Sequence, residues 1–282
     1  MASRKGKALG RSRPLCGVDE GRAGQPRSSP NGKLLPLWMG RFRGGSEHYR
    51  KRRHPSYCDL GFPRRGTTKA VILCHGFGES SRNASAYSDL LLGNGFALLM
   101  PDSRGHGNSG GLNTFGVREA GDILQWIRAI KYFTRISKIY GLGESMGGAI
   151  LLQSLARGAD FRAVVAESPF ASFSKVADEE MSSDCGPVIG PLLVVQCFLY
   201  ARLVHQVDLS DARPLRAVAH SRVPILLIHG EMDGVTQLEH SRDIVRANPA
   251  IQLWVVAFAE HTFAYRVDPT EFRRRVVSWF DR

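Results

Sequence analysis

Lys138-Ile139-Tyr140-Gly141-Leu142-Gly143-Glu144-Ser145-Met146-Gly147-Gly148-Ala149-Ile150 reads as a short strand, a sharp turn and the start of a helix. The turn carries the pattern G-x-S-x-G with Ser145 at its tip. A serine at such a corner presents its hydroxyl at the edge of a sheet, where it can attack a carbonyl carbon. Glycine flanks it at Gly143 and Gly147 because a side chain at either position would meet the neighbouring strand or helix. The same stretch permits a second reading. Gly141, Gly143 and Gly147 follow a strand as in a dinucleotide-binding turn, and Glu167 stands where a ribose-binding acid is expected. The rest of the chain has to choose between the two.

Outward from this corner, short apolar runs alternate with helical patterns. Ala70–Cys74, Phe96–Met100, Ala163–Ala166, Ile225–Ile228 and Leu253–Val256 are continuous or nearly continuous apolar runs of strand length. Runs of that kind suit strands covered on both faces. Between them, residues 82–94, 117–133, 239–247 and 270–280 carry apolar residues at helical spacing, as do the residues after Ser145 up to about Arg157. This alternation predicts an α/β fold, a mostly parallel sheet with helices on both faces. Residues 171–222 interrupt it. They are too long for a simple crossover and contain the apolar stretch Gly186–Tyr200. Two prolines, Gln196 and its short length favour a small helical cap over a pocket rather than a membrane span.

The formal net charge is +12. All of that excess lies in residues 1–66, which are rich in Arg, Gly, Pro and Ser, and residues 67–282 are formally neutral. The folded part therefore has no field to attract nucleic acid or an anionic membrane. Residues 1–66 read as a basic, disordered N-terminal extension showing no trace of a strand. Its cluster Arg50-Lys51-Arg52-Arg53 also admits a tail that binds nucleic acid or an acidic partner, and a segment translated from a wrong start or frame is a third reading. Its longest apolar run, Leu34–Met39, is too short for a signal-peptide core or a membrane span. The 5 cysteines are scattered and show no C-x-x-C spacing, so neither a disulfide framework nor a zinc site is expected. A reducing, cytoplasmic location fits them. No H-E-x-x-H or Walker-type loop is present, and no cofactor or metal is expected.

Four motifs follow the strands in order. His75-Gly76-Phe77-Gly78 follows an early strand, and the corner at Ser145 comes next. His229-Gly230-Glu231-Met232-Asp233 follows a late strand, and Glu260-His261-Thr262 follows the last one. With this set, residues 67–282 resemble the α/β-hydrolase family, in its esterase and serine-peptidase-like branch carrying G-x-S-M-G-G. The loop Asp102–Gly111 is similar to that family's loop after its fourth strand. The resemblance implies two or three strands ahead of residue 70 that residues 1–66 do not display, so the sheet is expected to lack an edge. Two positions depart from the family's pattern: Val235-Thr236 replaces the common Val-Pro, and Glu260 replaces the glycine before the histidine.

The chemistry is coherent in itself. A serine hydroxyl needs a base to take its proton, and His261 can take it and return it to the leaving group. A buried carboxylate is needed to orient the imidazole; Asp233 is the choice, with Glu167 as its rival. Backbone N–H groups of Phe77 and Met146 are placed to receive the oxyanion. His75, His106, His229 and Asp102 are expected to stabilise turns, and Glu144 and Glu260 to tune the local field. The dinucleotide reading leaves Ser145, Asp233, His261 and Phe77 without roles. The expectation is therefore a serine hydrolase cleaving a small-molecule carboxylic ester through an acyl-enzyme. A peptidase or amidase, an acyltransferase and a non-catalytic relative are the alternatives.

Overall fold

The structure is a computed structural model that describes residues 56–63 and 66–282. The basic cluster at Arg50–Arg53 and the run at Leu34–Met39 lie outside the described residues.

Seven strands form one sheet in the order β1-β3-β2-β4-β5-β6-β7. They are β1 (Cys58–Gly61), β2 (Lys69–Cys74), β3 (Ala97–Pro101), β4 (Lys138–Glu144), β5 (Val164–Glu167), β6 (Ile225–Gly230) and β7 (Gln252–Val256). All pairings are parallel except β1 with β3, which is antiparallel. The sheet is thus the expected mostly parallel one. The crossover helices are α1 (Ser81–Ala84), α2 (Ser88–Gly93), α3 (Glu119–Phe133) and α4 (Met146–Leu155) on the N-terminal side. They are followed by α5 (Phe173–Cys185), α6 (Ile189–His205), α7 (Pro214–Val218), α8 (Leu238–Ala247), α9 (Ala264–Val267) and α10 (Pro269–Phe280).

Side-chain alternation along the strands divides the core into two layers. Ile72, Leu99, Ile139 and Leu227 face one layer, with Trp126 of α3, Ile150 and Leu151 of α4 and Ile244 of α8. Val71, Leu73, Leu98, Tyr140, Leu142 and Val165 face the other, with Leu90 of α2 and Phe272, Val276 and Phe280 of α10. Strands covered on both sides need apolar residues at every position, which is why these segments read as unbroken apolar runs.

Two expectations are corrected. Residues 1–66 were expected to show no strand, yet Cys58–Gly61 forms β1 on the sheet edge. Only Cys58 of its four residues is buried, so this edge strand carries no apolar run to detect. The helix expected over 82–94 is divided into α1 and α2 by a 3₁₀ turn at Ser85–Tyr87. Serine side chains compete for backbone groups there, and Ser85 Oγ donates to the carbonyl of Arg82 at 2.5 Å.

The long insertion between β5 and β6 folds as α5 and α6 packed on each other, followed by α7. Phe173 of α5 stacks on Phe198 of α6, ring centres 5.7 Å apart. Lys175 pairs with Asp243 at 2.8 Å, and His240 contacts Glu179 at 2.8 Å, tying α5 to α8. Among the described residues no helix is long and apolar enough to cross a membrane.

Candidate active site

β4 ends at Glu144, and α4 begins at Met146. Ser145 between them has φ 49° and ψ −117°, a conformation that costs a non-glycine residue about 1–3 kcal/mol. The fold over-determines it. Ser145 donates its N–H to Glu167 O at 2.7 Å, and its carbonyl receives the N–H of Ala149 at 3.0 Å. A Cβ at Gly143 would lie 2.6 Å from the carbonyl carbon of Gly147, and one at Gly147 would lie 2.4 Å from Cys74 O. The steric reason for both flanking glycines therefore holds, and the obstructing atoms are backbone.

The loops after β6 and β7 bring two more side chains to this corner. His261 Nε2 lies 2.9 Å from Ser145 Oγ, and His261 Nδ1 lies 2.9 Å from Asp233 Oδ2. An Nδ1–H donated to the carboxylate leaves Nε2 with a free lone pair facing the serine hydroxyl. The Asp233 side chain is wholly buried, whereas the His261 side chain is 21% exposed. Burial opposes ionisation of Asp233, but the hydrogen bond and charge of His261 outweigh it and hold the carboxyl below its ordinary range.

Asp233 is itself held. Its Oδ1 accepts the N–H groups of Val235 at 3.0 Å and Thr236 at 2.9 Å. The Thr236 hydroxyl lies 3.2 Å from Asp233 Oδ2, 3.2 Å from His261 Nδ1 and 3.0 Å from Ser168 O. Thr236 was not singled out from the sequence. The one available signal was its departure from proline at that position, since proline has no N–H to give. His229 supports the same loop, with Nε2 2.7 Å from Thr236 O and Nδ1 2.7 Å from Ser241 Oγ. Burial keeps His229 below the usual imidazole range.

Phe77 and Met146 stand at two sides of Ser145. Met146 opens α4, so its N–H belongs to the electropositive end of a helix. Phe77 follows Gly76, where an added Cβ would come within 3.7 Å of Ser145 Cβ. Neither N–H has a protein partner among the described residues. The turn carrying Phe77 is fixed from below: Gly76 N–H donates to Glu79 Oε2 at 2.9 Å. His75 is completely buried, with Nδ1 2.7 Å from Gly76 O and Nε2 accepting the N–H of Ser103 at 3.0 Å. Both ring nitrogens are thus engaged in turn geometry, as expected for a structural histidine.

The other candidates lie elsewhere. Asp102 accepts the N–H groups of Ser81 and Asn108, each at 2.7 Å, and ties the end of β3 to the start of α1 and to the loop at Asn108. His106 Nδ1 lies 2.9 Å from Arg104 O. Glu167 has its carboxyl oxygens on Ala264 N–H at 2.9 Å and Tyr87 Oη at 3.0 Å, so His261 Nδ1 finds Asp233 instead.

Aromatic side chains run outward from this corner to α5. Phe77 lies with its ring centre 5.5 Å from Phe115, which stacks on Phe173 of α5 at 3.7 Å. Phe77 itself is 64% exposed. Burial, neighbouring Asp184 and the charges of His261 and Asp233 all act on Glu180 of α5, leaving its carboxyl above its ordinary value. Among the described residues no group of three or more His, Cys, Asp or Glu could hold a metal ion.

Comparison with known proteins points in one direction. A family model described as serine aminopeptidase, S33, matches residues 66–190. The uncharacterised Bacillus subtilis (strain 168) protein YqkD is 28% identical over 224 residues, spanning 76% of this chain and 72% of YqkD. Among solved structures, the Pyrococcus furiosus esterase Pf2001 superimposes with TM-score 0.62 and 25% identity, over 76% of this chain and 83% of that one. The Paleococcus ferrophilus monoacylglycerol lipase superimposes with TM-score 0.58 and 24% identity, over 80% of this chain and 98% of that one.

Proposed function

We propose, from the premise that this chain belongs to the α/β-hydrolase family, that it is a serine hydrolase cleaving small carboxylic esters through an acyl-enzyme. The observation that carries the reading is the unbroken line Asp233–His261–Ser145, with 2.9 Å at each link.

In this mechanism Ser145 Oγ attacks the ester carbonyl carbon while His261 Nε2 takes the hydroxyl proton. Asp233 holds the Nδ1–H tautomer and stabilises the imidazolium. The carbonyl oxygen gains negative charge and is received by the N–H groups of Phe77 and Met146; one such donor typically contributes about 2.7–4 kcal/mol to the transition state. The tetrahedral adduct collapses, His261 gives its proton to the leaving alkoxide, and the acyl group stays on Ser145. Water, deprotonated by His261, then releases the carboxylic acid. The pre-formed strain at Ser145 and the rigid strand ends place these groups before substrate arrives.

The named relatives support ester cleavage, since Pf2001 is an esterase and the Paleococcus protein a monoacylglycerol lipase. The family model's description favours a second reading, cleavage of an amide or peptide bond at the same serine. The deciding experiment is a panel of short and long acyl esters beside aminoacyl amides, run on wild type and Ser145→Ala. The proposal expects ester turnover abolished by Ser145→Ala. Faster turnover of amides would transfer the assignment to the second reading, and folded wild type inert to both classes would overturn each. The scattered cysteines without C-x-x-C spacing are the ground for placing the enzyme in the cytoplasm.

A further inference from the structure

Behind the serine corner, two acids and a phenol meet. Tyr87 Oη lies 2.5 Å from Glu144 Oε1 and 3.0 Å from Glu167 Oε2. Glu144 and Glu167 are register partners on adjacent parallel strands, so their side chains leave the same face of the sheet side by side. Tyr87 and Glu167 are almost completely buried, and the Tyr87 ring is packed against Phe272 and Tyr265. No step of the proposed reaction uses these groups, yet they adjoin both reacting elements. Glu144 is the residue before Ser145. Glu167 accepts Ser145 N–H on its carbonyl and Ala264 N–H on its carboxylate, and Ala264 ends the turn that carries His261.

The proton count is decisive. A phenol has one proton to donate, and two ionised carboxylates have none. With both acids ionised, one of the two oxygen–oxygen contacts would be purely repulsive. One added proton satisfies everything: Glu144 donates to Tyr87 Oη, Tyr87 donates to Glu167, and Ala264 N–H completes the Glu167 carboxylate.

We infer that Tyr87, Glu144 and Glu167 are positioning residues that share one extra proton and so lock the strand bearing Ser145 to the turn bearing His261. The inference rests on the serine-hydrolase reading of that site. The groups around the cluster agree with it. Burial is the main influence on both acids, pushing Glu144 up to about 8 and Glu167 up to about 7. Glu79, from the Phe77 turn, adds negative charge near Glu144, and Arg266 of α9 partly offsets it. Near Glu167, His261 favours the ionised form and Asp233 opposes it. The cluster thus holds its proton at neutral pH. As alkali removes it, the lock opens, the turn at Ala264 loosens, and turnover falls without a matching change in KM.

Two measurements on the full chain test this. The first is carboxyl-selective ¹³C NMR of glutamate-labelled protein, which needs no activity. It is expected to show a glutamate that keeps its proton to about 8 and is missing in Glu144→Gln. The second is the pH profile of kcat with a short acyl ester. Wild type is expected to lose about tenfold on the alkaline side, whereas Glu144→Gln, a permanent mimic of the protonated acid, keeps its neutral-pH kcat into alkali. Tyr87→Phe retains the ring and is expected to lower kcat at every pH with KM little changed. Superimposable profiles for wild type and Glu144→Gln would overturn the inference, as would glutamates that all titrate in the ordinary range. Absence of any ester turnover would instead sink the hydrolase reading, and the carboxyl titration would still decide whether the proton is shared.

Discussion

Thr236 donates its backbone N–H to Asp233 Oδ1 at 2.9 Å and places its hydroxyl 3.2 Å from Oδ2 of the same carboxylate. Asp233 is thereby held at Oδ1 by the backbone of a neighbour three residues away, while the single proton of the Thr236 hydroxyl is shared between Oδ2 and Ser168 O at 3.0 Å. A hydrogen bond of this kind contributes about 0.5–1.5 kcal/mol, more when one partner is charged. Thr236→Val is expected to lower kcat/KM by about tenfold, and Thr236→Pro, which also removes the N–H, by more. Ester kinetics on the two variants check the order; a proline variant as active as wild type would separate Thr236 from the reaction.

Asp233→Asn is expected to leave the fold intact and to reduce kcat by about 10⁴-fold, because an amide stabilises the wrong tautomer of His261. Glu167→Gln is expected to be far milder, since its amide oxygen can still accept from Ala264 N–H. Kinetics and circular dichroism on both variants decide the matter. If Glu167→Gln proves the more damaging change, the acid has been wrongly assigned.

Gly147→Ala tests the packing of the corner rather than its chemistry. The added carbon would meet Cys74 O at 2.4 Å and His75 O at 2.6 Å, both backbone atoms that can move only by displacing β2 and the turn after it. Overpacking of this sort costs about 1–3 kcal/mol. The urea midpoint is expected to fall accordingly, and an unchanged midpoint would show that β2 and its turn yield to the added carbon without cost.

The raised acids have a consequence for stability. Glu144 binds its proton up to about 8 in the fold, against an ordinary value of 4.5. Across that window the folded chain holds more protons than the unfolded one, so stability falls as pH rises. Glu144→Gln removes the Glu144 part of that proton difference and leaves the part due to Glu167. The variant is expected to gain urea resistance relative to wild type on moving from pH 5 to pH 8. Equal pH slopes for the two proteins would contradict the assignment.

The parts of this molecule visible in the sequence share a physical cause. Strands β2, β3, β5 and β6 are covered on both faces, so each shows as an unbroken apolar run, and the four motifs stand at strand ends where a parallel sheet gathers them. The corner at Ser145 is legible because its glycines answer to backbone collisions that no other residue can avoid. Strand β1 is not legible, because an edge strand of four residues with one buried side chain carries no periodic signal. Thr236 escapes because its role depends on an N–H and a hydroxyl whose partners lie in two other loops. The Tyr87 cluster escapes for a related reason: in the pattern of residues 82–94 Tyr87 reads as one more core-facing position, and only the register of β4 on β5 brings Glu144 and Glu167 to it. Patterns within one element reveal burial, whereas groups that converge from three elements require the fold.

If Ser145 is a nucleophile activated by His261, it forms a covalent adduct with an electrophile that mimics an ester. Wild-type chain is treated with a fluorophosphonate probe and the modified peptide is identified by mass spectrometry. Stoichiometric labelling at Ser145 is expected, lost in Ser145→Ala and strongly slowed in His261→Ala. A folded wild-type chain that remains unlabelled, or that is labelled equally well after Ser145→Ala, would contradict it.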